Sequence, residues 1–209
     1  MKSSITFLLL ATLLLQACGP TVYISPGFKS AAASHQQIAL LPFDVIFTND
    51  KIREDIPPEV VYEMESDMGY AMQDEAFSFL LNEIGKGRLL IDVQDIERTN
   101  LKLSEAGVGY YDLRNMPKEE IASLLGVDAV LSGKAEVDKP FNEVAAAAIG
   151  IVFGVWTATN SVQTTLNLHN ALDGNLLWRY DYEASGSVGS SAQTLTRALM
   201  RNASKRLPY

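Results

Sequence analysis

Cysteine is almost absent: Cys18 is the only one in 209 residues. A single thiol excludes an intramolecular disulfide framework and any cysteine-rich metal site. Histidine is nearly as scarce, with His35 and His169 alone, too far apart for a His-x-x-x-His metal pair. Positive charge is in deficit, 17 Lys and Arg against 25 Asp and Glu, for a formal net charge of −8. Phosphate contacts need clustered Lys and Arg, and no basic stripe occurs, so nucleic acid is excluded as a partner. No apolar run reaches the about 20 residues that a membrane-spanning helix requires. Catalytic motifs are missing too. No Gly-x-Ser-x-Gly elbow is present. Between Gly126 and Gly133 stand six residues where a phosphate-binding loop needs four, and Ala135 occupies the place of its Mg²⁺-holding Ser or Thr. Gly107-Val108-Gly109 lacks the third glycine of a dinucleotide fingerprint. No catalytic residue, metal or cofactor is assigned, and an enzyme is not expected.

What is present begins at the N-terminus. Lys2 precedes an apolar run over residues 5–15 broken only by Thr6 and Thr12, which has the length of a signal-peptide core rather than a membrane span. Leu15-Gln16-Ala17-Cys18 follows and resembles the lipobox of bacterial lipoproteins. The resemblance implies a signal peptide over 1–17, cleavage before Cys18 and diacylglycerol on its thiol, so that the membrane is a partner through Cys18. Acyl chains anchor by burying methylenes, about 0.8 kcal/mol each. Gly19, rather than Asp, after the cysteine implies the outer membrane, facing the periplasm. Residues 18–36 then read as the lipidated cysteine and a tether rich in Gly, Pro, Ser and Ala. As a flexible coil its 18 residues after Cys18 would span about 23 Å, and about 60 Å fully stretched.

Residues 37–209 read as one α/β domain. Ile38-Ala39-Leu40-Leu41-Pro42-Phe43 is a strand ended by Pro42, which cannot donate to a ladder. Pro57-Pro58 opens a long helix with Val61, Met64, Met68, Met72, Phe79, Leu80 and Ile84 near the 3.6-residue period. A strand follows at 89–93, then a helix over 96–106 stopped by Gly107. Another helix begins at Pro117 and stops at Gly126, and a strand spans 129–137. Val162, Thr164, Leu166 and Leu168 alternate with polar residues. Leu176, Trp178, Tyr180 and Tyr182 do the same against Leu177, Arg179, Asp181 and Glu183, with Asp173-Gly174 as the turn signal between the runs. A helix over 190–206 closes the chain. The expectation is a single mixed β-sheet with helices packed against it, ending in a β-hairpin and then a helix.

Three stretches carry a family resemblance: Ile38 to Phe43, then Leu124-Leu125-Gly126-Val127-Asp128-Ala129-Val130-Leu131-Ser132-Gly133, then Leu172-Asp173-Gly174-Asn175-Leu176-Leu177-Trp178. The pattern resembles small bacterial lipoproteins whose domain is similar to the N-terminal domain of the Tol–Pal translocation protein. Relatives of that fold include the curli secretion-channel lipoprotein and the activators of penicillin-binding proteins. It is most similar to a branch with no assigned biochemical role. These motifs specify strands and turns, and no site residue transfers with them.

Three features are candidates for contact. The acids Glu63, Glu65, Asp67, Asp74 and Glu75 lie mainly off the apolar stripe of the long helix and read as a solvated face, or as an acidic surface for a partner. Tyr110 and Tyr111 fall in a loop, where they either pack onto the domain or serve as contact anchors. Residues 144–156 carry no charge and include Val144, Ile149, Ile151, Val152, Phe153 and Trp156. Gly150 and Gly154 would permit close helix approach. That segment reads as a buried element, as an exposed one that packs on a partner or a second copy, or as a membrane-inserted one. The functional expectation is a non-enzymatic binding or scaffold module of an envelope assembly or transport system, tethered to the outer membrane, with a protein partner. The alternative is a self-assembling ring or secretion-channel subunit, which makes the chain a homo-oligomer. A short tether argues against reaching an inner-membrane partner through the wall.

Overall fold

The computed structural model describes residues 20–138, 161–185 and 191–209. Cys18 and the apolar segment 144–156 lie outside them. In chain order the elements are β1 (Thr21–Ile24), α1 (Phe28–Ala32), β2 (Gln37–Leu40), β3 (Asp44–Phe47), α2 (Asp50–Asp55), α3 (Pro58–Gly85), β4 (Asp92–Val93), α4 (Ile96–Glu105), a 3₁₀ turn (Asp112–Arg114), α5 (Lys118–Leu125), β5 (Ala129–Val137), β6 (Ser161–Asn170), β7 (Leu176–Ser185) and α6 (Ala192–Ala203).

The strands form one mixed sheet in the order β1-β7-β6-β5-β2-β4, with β3 also on β5. β5 is its axis. It runs antiparallel to β6 from Ala129 opposite Asn170 to Val137 opposite Val162. Its other edge is shared by two parallel partners, β2 at Ile38 to Leu40 and β3 at Asp44 to Phe47. These are the halves of one strand broken at Leu41-Pro42-Phe43. Pro42 ends the first half as its missing N–H requires. The chain then resumes, because Val45 and Phe47 alternate into the core. The Phe43 ring fills the space over Gly133, where any Cβ would collide with it.

Helices cover the sheet from both sides. Ile38 and Leu40 face a large cluster with Met72, Ala76 and Leu80 of α3 and Leu195 and Leu199 of α6. Ala39, Leu41 and Val130 face a smaller cluster with Leu103 of α4 and Ile121, Ala122 and Leu125 of α5. The helix ends are set locally. Asp95 caps α4 by accepting from Glu97 N (2.8 Å) and Arg98 N (3.3 Å). Ser191 and Thr194 form a capping box on α6. Gly126 closes α5 at φ +70°, a left-handed conformation that glycine adopts without steric cost.

The fold class read from the sequence is the one observed, and four local readings are corrected. The tether is not one from Thr21 onward. β1 pairs antiparallel with β7, Thr21 opposite Asp181 and Ile24 opposite Trp178. Phe28 is buried against the Tyr209 ring, 5.4 Å between centroids. The strand expected at 89–93 shrinks to Asp92–Val93, while Leu89 and Ile91 are buried without ladder pairing. The stretch 44–55, left unassigned by the sequence, holds β3 and α2. The alternation of β7 is broken by a register shift between Leu168 and His169, so Leu177 is buried alongside Trp178.

Candidate functional site

Past the β4 pairing at Ile38, the outer edge from Leu40 through β3 has no neighbouring strand among the described residues, and such an edge must find other partners for its backbone groups. One face of α3 and one loop tyrosine supply them. Gln73 Nε2 donates to Leu40 O (2.8 Å), and Phe43 N donates to Gly69 O (3.1 Å). The Tyr110 hydroxyl donates to Phe43 O (2.5 Å) and accepts from Val45 N (2.9 Å). Glu65 Oε1 accepts from Phe47 N (2.9 Å), and Arg53 Nε closes the edge by donating to Phe47 O (2.9 Å). Glu65, Gly69 and Gln73 are spaced four apart and therefore share one side of the helix. Gly69 is the point of closest approach. A Cβ there would collide with Phe43 O and with the Tyr110 hydroxyl.

This corrects the reading of the acidic cluster. Glu65 is 1% exposed, not solvated. Its carboxylate also accepts from Arg53 Nη2 (3.0 Å) and lies 3.2 Å from the Tyr111 hydroxyl. Glu75 is held by Arg197 of α6 (2.6 Å). Glu63, Asp67 and Asp74 are exposed as expected.

Tyr110 and Tyr111 are half-buried, and both hydroxyls are engaged within the chain, that of Tyr111 donating to Tyr62 O (2.8 Å). Burial pushes both phenols above the ordinary tyrosine value, and the nearby Glu65 carboxylate adds to the rise. The two rings meet edge to face at 4.8 Å. Each also touches an α3 tyrosine that the sequence reading missed: Tyr111 meets Tyr62 at 5.0 Å and Tyr110 meets Tyr70 at 5.8 Å. Tyr62 and Tyr70 are 49% and 41% exposed. The Arg114 guanidinium lies 5.5 Å from the Tyr111 ring centroid and pairs with Asp44 (2.5 Å). The result is a row of four aromatic rings, open to solvent at both ends and immobilised beneath by Glu65. Such rings offer large contact area at low entropic cost. The missed signal was the eight-residue spacing of Tyr62 and Tyr70, which sets them on one side of α3 away from the apolar stripe.

Around the N-terminal segment the polar groups bond within the chain. His35, assigned to the tether, has Nδ1 2.7 Å from the Tyr209 hydroxyl and Nε2 3.2 Å from Asn170 Oδ1. Asp128 Oδ2 accepts from Gln36 N (2.7 Å) and Gln37 N (3.0 Å). A cleft of about 400 Å³ between the N-terminal segment and the β6–β7 turn is lined by Tyr23, Ser25, Asn170, Asp173 and Asn175, and Asp173 is already bonded to both asparagines. Among the described residues no group of His, Cys, Asp and Glu could hold a metal ion, and no helix is long and apolar enough to cross a membrane.

The sequence matches no protein-family model and no curated protein. Solved structures with a similar arrangement include the PelC dodecamer of Paraburkholderia phytofirmans, 12% identical over 90% of this chain and 95% of that one, TM-score 0.44. Lipoprotein GNA1162 of Neisseria meningitidis is 15% identical over 82% and 97%, TM-score 0.46. The LpoB C-terminal domain of Salmonella enterica is 9% identical over 76% and 93%, TM-score 0.38. A lipoprotein thus stands among the neighbours, and likeness this remote says nothing about function.

Proposed function

We propose that the chain is a lipoprotein of the bacterial outer membrane, anchored through Cys18 on the periplasmic side, that binds or scaffolds other envelope proteins and performs no catalysis. The observation that carries the contact role is the braced tyrosine row, Tyr62-Tyr111-Tyr110-Tyr70. Two rings are presented to solvent, while the hydroxyls and backbone beneath them are fully engaged. A rigid aromatic surface loses little freedom on binding, which favours affinity. The uncharged segment with Val144, Ile149, Ile151, Val152, Phe153 and Trp156 is assigned as a second contact element.

Cross-linking of the acylated chain in its membrane, followed by pull-down, tests the reading with Tyr62→Ala/Tyr70→Ala beside the unaltered chain. The double variant truncates exposed rings and is expected to fold normally. Recovery of hetero-partners is expected to fall at least about fivefold, equivalent to roughly 1 kcal/mol and a lower bound on what truncating an important interface residue costs. Unchanged recovery with a normal circular dichroism spectrum would remove the tyrosine row from the reading.

One observation favours the alternative of a self-assembling ring subunit. Among the described residues β1 is the terminal strand of the sheet, and Tyr23 and Ile24 on it are exposed, so its outer edge could pair with a second copy. A monomer by light scattering in detergent contradicts that alternative.

A further inference from the structure

The N-terminal segment does not behave as a leash, and this fixes how far the domain can stand from its anchor. From Thr21 onward the chain is part of the domain. β1 is laddered to β7, and Ser25 N donates to Leu177 O (2.8 Å). Phe28 is 4% exposed, His35 is clasped by Tyr209 and Asn170, and Asp128 holds the backbone of Gln36 and Gln37. Only Gly19 and Pro20 separate Cys18 from Thr21. Three residue steps cover at most about 10 Å. This argument rests on the proposed acylation of Cys18.

The register says which part of the domain that short link holds down. Thr21 is level with Asp181 on β7 and, through it, with Thr165 on β6. β1 points its N-terminal end toward Ser185 and Ser161 and away from the β6–β7 turn. Gln163 is exposed on β6, two strands in from β1 and two residues toward that end. At about 4.8 Å between strands and 3.3 Å per residue, it lies about 12 Å from Thr21. Leu90, 81% exposed, comes just before β4 at the opposite edge, and Val93 of β4 is level with Ala129 of β5 and Asn170 of β6, the far ends of those strands. Five strand intervals and about five residues place Val93 about 30 Å away, with Leu90 three residues beyond it in the chain.

We propose that the corner of the domain formed by β1, the second half of β7 and the first half of β6 lies against the lipid surface, with the β4 edge turned away from it. The corner's chemistry suits a lipid–water boundary. Tyr23 is a half-exposed aromatic with a polar tip. Arg179, opposite Tyr23 on β7, is paired with Asp181 at 2.8 Å, so the contact is held by the anchor rather than by attraction of that cation to anionic lipid. Its orientation is insensitive to salt.

Because acylation occupies the only natural thiol, one engineered cysteine gives a single labelling site. Full-length acylated chains carrying Gln163→Cys or Leu90→Cys are labelled with a fluorophore. They are then placed in phosphatidylethanolamine–phosphatidylglycerol vesicles containing headgroup-quencher lipid. Quenching at position 163 is expected to exceed that at position 90 at least threefold, in low and in high salt. Ten Gly and Ser residues inserted between Gly19 and Pro20 are expected to abolish the difference. Equal quenching at the two positions in an acylated chain overturns the orientation and leaves the anchor standing. A difference that survives the insertion also overturns it, since the short link would then not be its cause. An intact mass without acyl groups overturns the orientation and the anchor together.

Discussion

Glu65 shows how one buried charge organises the tyrosine surface. Its carboxylate takes the Phe47 N–H of the strand edge and an Arg53 N–H, and lies within reach of the Tyr111 hydroxyl. Burying a carboxylate is unfavourable unless its oxygens are satisfied, and these are. Arg53 is nearly half exposed, so its ion pair is screened and adds little. The larger effect is on the Phe47 N–H, which a Glu65→Ala change leaves buried without an acceptor. That substitution is expected to cost about 2 kcal/mol and to loosen Tyr111, seen as a lower denaturation midpoint and faster solvent exchange of the Tyr111 hydroxyl proton by NMR. The position was legible in principle. Glu65 falls on the stripe of Val61, Gly69, Met72 and Ala76, but a reading by residue type grouped it with Glu63 and Asp67. His169 gives a second residue-scale prediction. Its Nδ1 is buried without a hydrogen bond. Burial holds the imidazole below the ordinary histidine value, Lys118 adds to the effect and Glu119 opposes it. Protonation therefore favours the unfolded chain. The stability is complete above about pH 6.5, declines as pH falls toward the depressed folded value, and levels off below it. His169→Gln is expected to flatten that slope in denaturation midpoints taken at pH 7.5 and 5.5.

At the scale of elements, legibility followed how locally each one is stabilised. The helices at 58–85, 96–105 and 118–125 carry their own start and stop signals and periodicity, and they stand where the sequence put them. β5, β6 and β7 were legible from alternation. β1 and β3 were not. Each has four residues, and each is a strand because of what it lies against, β7 for one and β5 with the α3 side chains for the other. Such context outweighs intrinsic strand preference. Asp128 tests the docking of the N-terminal segment. Burial would raise its carboxyl, but N–H donation from Gln36 and Gln37, with His35 nearby, holds it below the usual carboxylate value. A lowered folded value means that the stabilisation is complete above about pH 4 and is lost as pH falls through the depressed value. Asp128→Ala is expected to cost about 1–2 kcal/mol at neutral pH and to speed proteolytic clipping within residues 21–36. The same clipping is expected in the unaltered chain only under acid.

On the scale of the whole molecule, two joints tie distant parts of the chain into one body. α6 lies along α3 and is fastened by Arg197 to Glu75. The C-terminal Tyr209 closes over Phe28 and His35. The described N-terminal segment and Tyr209 therefore pack together, and β1 is a structural strand. A flexible tether would have let the domain search a radius of tens of ångströms. With the proposed anchor at Cys18, a docked one would hold the domain close to the membrane in one orientation. The most direct measurement is hydrogen exchange of the full acylated chain in detergent, followed by mass spectrometry at the peptide covering Thr21–Ile24. Docking predicts protection there comparable to that of β7, and loss of it in a Phe28→Ala variant. Exchange at the rate of an unstructured peptide would contradict the account and return residues 19–36 to the role of a tether.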